Sequence, residues 1–126
     1  MDLYTSGSGN REFKAAYLIF PPGAQVEIRS LLRTAPGSDE VKKGIQDMLS
    51  GFAEVQNAKL KNIKFGMDLG LPTEFAEVTS PKIRIQVRGY LSSTGYYLFS
   101  SSADSARTLA FFNSIKLPPE IPNSSL

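Results

Sequence analysis

The stretch Lys82–Ser100, KIRIQVRGYLSSTGYYLFS, decides how the chain folds. Ile83, Ile85 and Val87 alternate with Lys82, Arg84, Gln86 and Arg88. That period of two buries one face of a strand and leaves the other in water, as in an antiparallel sheet with one open side. Ser92-Ser93-Thr94-Gly95 supplies turn chemistry, and Tyr96 to Ser100 resumes as a strand, so Lys82–Leu91 and Tyr96–Ser100 read as a hairpin.

Toward the N-terminus, Glu74–Val78 reads as a short strand after Gly70-Leu71-Pro72, and Lys59–Leu69 alternates imperfectly, which predicts a bulge. Before Ala58 the period changes. Val41, Ile45, Met48, Leu49 and Phe52 recur at helical spacing, Ser38 is placed to cap, and Asp39 and Glu40 suit the positive helix end. This predicts an amphipathic helix to about Glu54 whose Gly44 and Gly51 require packing to hold it. Val26–Leu32 fits a short strand or a helix start. Phe13–Phe20 reads as a strand stopped by Pro21-Pro22-Gly23, and Thr5–Arg11 as a turn-rich break between two strands.

Toward the C-terminus, Ser102 or Asp104 caps a last helix carrying Ala106, Leu109, Ala110 and Phe112, with one ring of Phe111-Phe112 entering the core beside Leu109. The segment Pro118-Pro119-Glu120-Ile121-Pro122 cannot continue a helix and is expected to be loose. The expected fold class is α+β: an antiparallel sheet with two helices packed on one face, an α/β sandwich. It forms one domain over 1–117, followed by a Pro-rich tail over 118–126.

Composition removes whole classes of chemistry. The 126 residues include no histidine and no cysteine. Imidazole-dependent nucleophiles, thiolate or imidazole zinc sites and disulfides are therefore impossible. The carboxylates form no calcium loop, and no apolar run reaches the roughly 18 residues of a membrane span. Met1-Asp2-Leu3-Tyr4 lacks a signal-peptide pattern. These features predict a soluble, cofactor-free chain. With 14 basic and 12 acidic residues the net charge is +2, too small for a dedicated nucleic-acid binder.

Several strings in order resemble the PsbP-like superfamily: FKAAYLIFPPG (Phe13–Gly23), the helix Asp39–Phe52, GLPTEF (Gly70–Phe75), IRIQVRGYLSSTGYYLFSSSA (Ile83–Ala103) and FFNSIKL (Phe111–Leu117). That superfamily includes the extrinsic photosystem II protein, a Ran-binding import factor and uncharacterised bacterial exported proteins, and the bacterial members are the most similar. The resemblance spans about Leu3 to Leu117. It implies a binding or scaffold role without common catalytic residues, in a bacterial cell envelope. Two departures stand out. The given sequence supplies no counterpart of the additional hairpin that usually opens the family, which fits a truncated chain, a strand supplied by a partner or a reduced subgroup; the histidines of the photosystem members have no counterpart either, so their metal role does not transfer.

Lys82, Arg84 and Arg88, with Tyr90 at the same parity, form the candidate partner-binding face. Lys59, Lys61 and Lys64 join it if their strand lies nearby. A basic sheet face suits a protein with an acidic surface, and an uncovered strand edge would pair with another chain or a second copy. The plain alternative is an ordinary solvated sheet face. Tyr96, Tyr97 and Phe99 fit core packing or the lining of a ligand pocket. Gly7-Ser8-Gly9-Asn10 reads as a turn, since it lacks both the third glycine and the Lys-Ser/Thr pair of phosphate loops. Glu74 and Glu77 are expected on opposite faces, and Asn123-Ser124-Ser125 matches a glycosylation pattern in the tail. The expectation is a non-catalytic module making protein–protein contacts. The alternatives are a small-molecule or lipid carrier using the sheet–helix interior and a carboxylate-dependent hydrolase.

Overall fold

The hairpin that anchors the reading lies at the centre of the sheet. In the computed structural model, which describes residues 4–6 and 12–117, the strands are β1 (Tyr4–Ser6), β2 (Phe13–Ile19), β3 (Lys59–Asp68), β4 (Leu71–Thr79), β5 (Arg84–Leu91) and β6 (Gly95–Ser101). They form one six-stranded sheet in the order β1-β2-β6-β5-β4-β3. Every pairing is antiparallel. The helices are α1 (Pro22–Thr34), α2 (Asp39–Val55) and α3 (Ser105–Asn113).

Local chemistry accounts for most boundaries. Ser38 caps α2 by accepting from the Val41 amide, and Asp104 caps α3 by accepting from the Arg107 amide. The Ser80 hydroxyl accepts from the amides of Lys82 and Ile83, holding both in the turn, so β5 begins at Arg84 and not at Lys82. β4 begins earlier than expected because Pro72, which reads as a break, pairs with Met67 of β3 and has no partner on β5. The expected bulge lies between Lys61 and Lys64, where Asn62 takes φ 55°. Val26–Leu32 is helical within α1, with proline in its first turn. The tail beyond Leu117 and the turn over 7–10 lie outside the described residues.

α2 and α3 lie on opposite faces of the sheet, which corrects the expectation that both cover the same one. On the first face Val41, Ile45, Leu49 and Ala53 of α2 pack against Ala76, Val78, Val87, Leu91 and Leu98, with Ile28, Leu31 and Leu32 of α1 at the margin. On the second face Phe112 of α3 and Ile115 pack against Leu71, Tyr90 and Tyr97. The cause is that β5 and β6 are apolar on both sides: Leu91 and Leu98 point one way, Tyr90 and Tyr97 the other. Neither face can be left to water. Leu109 consequently faces solvent at 56% exposure, and Phe112 takes the buried place instead.

Two glycines record how closely α2 lies on the sheet. A Cβ at Gly44 would overlap the Tyr96 hydroxyl, and one at Gly89 would lie 2.8–3.1 Å from Met48, Ile45 and Leu49. With Ile45 and Leu49 fully buried, each contributes about 1.5–3 kcal/mol through lost apolar surface. That contact leaves no room for a ligand between α2 and β5.

Candidate functional site

The four residues expected on one open face divide into two environments. Lys82 and Arg84 are exposed, and Arg84 Nη2 lies 3.1 Å from Glu77 Oε1. Arg88 and Tyr90 lie beneath α3, so the expectation that they meet a partner on an open face does not hold. Tyr90 is fully buried and donates from its hydroxyl to Asp68 Oδ2 at 2.5 Å. Burial, followed by the hydrogen bond to Asp68, pushes its pKa up to about 12. Arg88 Nη1 donates to the same oxygen at 3.3 Å, and its guanidinium lies 4.9 Å from the Phe75 ring and 4.4 Å from the Phe112 ring. A strand pattern treats this face as uniform. The fold covers its middle with α3 because an arginine paired with aspartate and stacked between rings can be enclosed.

What stays open is the end of that face beyond α3. Lys59 pairs in register with Thr79, Thr79 with Arg84, and Lys61 with Glu77, so all project to the same side. Together with Asn57, Ala58, Ser80 and Pro81 they line a shallow concavity of about 640 Å³. Lys59, Lys61 and Arg84 bring three positive charges to it, and among the described residues Glu77 is the only carboxylate in its lining. The condition set for Lys59 and Lys61 joining the basic face is met through β4, which lies between β3 and β5. Lys64 lies on the same side beyond the bulge, opposite Phe75. Asp68 and Glu77 were not readable as site components, since each acts only through a partner on β5.

A second concavity, about 450 Å³ and mostly apolar, lies on the other flank of α3 among Ala15, Tyr17, Ile19, Tyr97, Phe99 and Leu117. It is a surface groove on the α3 face and not the sheet–helix interior under α2.

Glu74 and Glu77 do point to opposite faces, since Glu74 is opposite Gly89 and Glu77 opposite Gln86. Glu74 is 2% exposed beneath α2, and its Oε2 has no hydrogen-bond partner among the described residues. Burial raises its pKa to about 7, with the charge of Lys42 pulling in the other direction. Among the described residues no three His, Cys, Asp or Glu side chains gather as metal ligands, and no helix is long and apolar enough to cross a membrane. Compared with known proteins, the chain matches no family model, no curated protein and no solved structure.

Proposed function

We propose that the chain is a non-catalytic binding module that engages an acidic protein surface through the open end of its sheet. The supporting observation is the convergence of Lys59, Lys61 and Arg84, drawn from β3 and β5, on one concavity where Glu77 is the one carboxylate among the described residues. Charges so placed on an exposed surface guide encounter and set specificity more than they add raw affinity. Lys82, at the rim of the same end, extends the positive field. Arg88 and Tyr90 support the surface from within by fixing β5 to the β3–β4 hairpin. We also propose kinship with the PsbP-like proteins, supported by the order of strand, helix, antiparallel strands and helix.

The test is binding of an oligo-glutamate peptide, followed by fluorescence anisotropy at low and at physiological salt. The expected result is salt-sensitive binding that a Lys59→Glu/Lys61→Glu/Arg84→Glu variant loses while keeping its circular dichroism spectrum. Equal binding of oligo-glutamine, or undiminished binding to the variant, removes this reading. The carrier alternative rests on the apolar groove along Tyr17 and Phe99, and fluorescence of a hydrophobic dye quenched by Ile19→Lys would favour it.

A further inference from the structure

The exposed edge of β3 borders the basic concavity directly. Among the described residues β3 is the last strand of the sheet and pairs only with β4. A strand in that position presents alternate backbone N–H and C=O groups outward, ready to pair with another extended chain. From Lys64 to Asp68 its register against β4 is unbroken, which gives a regular ladder for a further strand. On the α3 side of the sheet the edge carries Lys59, Lys61 and, past the bulge, Lys64, Gly66 and Asp68, whose carboxylate accepts from Tyr90 and Arg88; on the α2 side it carries Phe65 and a 53% exposed Met67.

We propose that β3 accepts an extended peptide as a seventh strand, one that alternates acidic and apolar side chains. This rests on the reading of the basic end as a protein-binding surface and specifies the form of the partner. Successive side chains of an added strand point to opposite faces, with like-facing ones about 6.8 Å apart. Its acidic residues therefore lie on the face of Lys64, Lys61 and Lys59, and the residues between them on the face of Phe65 and Met67. The three lysines also select the occupant. A second copy of β3 laid along the first puts three lysines and one aspartate of each copy on the same face, a net like charge, and like charges across a strand pair are unfavourable. An acidic strand turns the same charges into attraction.

The experiment uses the intact chain and a capped heptapeptide, Glu-Val-Glu-Val-Glu-Val-Glu, with two backbone N-methylated versions. One is methylated on its odd residues and the other on its even residues. In a strand only one of these sets faces β3, so one version is expected to bind at least about tenfold more weakly and the other to bind nearly as the parent does. Hydrogen exchange of the amides over Lys64–Asp68 is expected to slow with the parent peptide. Equal, salt-sensitive binding of all three peptides overturns strand addition and leaves electrostatic docking in the concavity. Equal binding of a Thr-Val analogue overturns the role of the lysines. No binding by any of them overturns both this proposal and the acidic-surface reading.

Discussion

Tyr90 and Asp68, twenty-two residues apart in sequence, meet at 2.5 Å between the phenol and a carboxylate oxygen. The same oxygen accepts from Arg88, which lies between the rings of Phe75 and Phe112. One carboxylate at the end of β3 thus ties together β3, β5 and α3. Reversing the charge in this partly buried, hydrogen-bonded pair costs more than altering a surface charge. Arg88→Glu is therefore expected to lose several kcal/mol or fail to fold, whereas Arg84→Glu stays within about 1 kcal/mol of the parent. Urea unfolding of the two variants makes the comparison. Equal midpoints would show that the Asp68 tie carries no weight.

Glu74 makes stability depend on pH in the direction opposite to an ordinary paired carboxylate. Its pKa rises from 4.5 to about 7 on folding, because burial disfavours the charged form. Between those values the folded chain holds a proton that the unfolded chain has released, so stability falls as pH rises. The contribution is complete below about 4.5 and gone once the pH has passed about 7, a change on the order of 3 kcal/mol. Glu74→Gln is expected to remove that slope. Urea midpoints of parent and variant at about pH 5 and about pH 8 decide it, the parent alone losing this increment at the higher pH.

Gly44 and Gly51 occupy the same helix but are held by different needs. A Cβ at position 51 meets nothing within 4 Å among the described residues, whereas one at position 44 meets the Tyr96 hydroxyl. Gly51→Ala is expected to stabilise α2 by up to about 1 kcal/mol from backbone entropy alone. Gly44→Ala is expected to cost about 1–3 kcal/mol through overpacking. Tyr96→Phe removes the obstructing oxygen, so the double variant should recover part of that loss in a thermal-melt cycle. Strict additivity of the two single changes would show that the hydroxyl is not the obstacle.

Leu69 takes φ 53° in the β3–β4 turn with its side chain half exposed. The left-handed region costs a residue with a Cβ roughly 1–2 kcal/mol, and asparagine tolerates it better. Leu69→Asn is expected to raise the melting temperature by a few degrees, as differential scanning calorimetry would read. A lowered melting temperature would mean that the half-buried leucine contributes more by packing than its backbone loses.

Elements specified by neighbouring residues were legible in the sequence. The β5–β6 hairpin, the Ser38 cap, the bulge in β3 and the opposite faces of Glu74 and Glu77 all follow from local spacing and turn chemistry, and the structure chooses Asp104 over Ser102 as the cap of α3. The face taken by α3 does not follow, since Arg88 and Tyr90 have the pattern of a solvated strand face. What allows them inside is Asp68 from another strand and Phe112 from a helix, and no local signal reports either. The candidate site was half legible for the same reason. Lys82 and Arg84 stand out on their own strand, whereas Lys59 and Lys61 join them only through the pairing of β3, β4 and β5.

The strand order carries a kinetic consequence. β3, β4, β5 and β6 follow one another in sequence and lie side by side, so each joins its predecessor through a short turn. β2 reaches β6 from the opposite end of the chain, with both long helices between. That pairing closes by far the longest loop in the sheet and carries the largest entropy cost of closure. A four-strand meander can form on local contacts alone, and the β1–β2 hairpin is then the piece that docks afterward and peels away first.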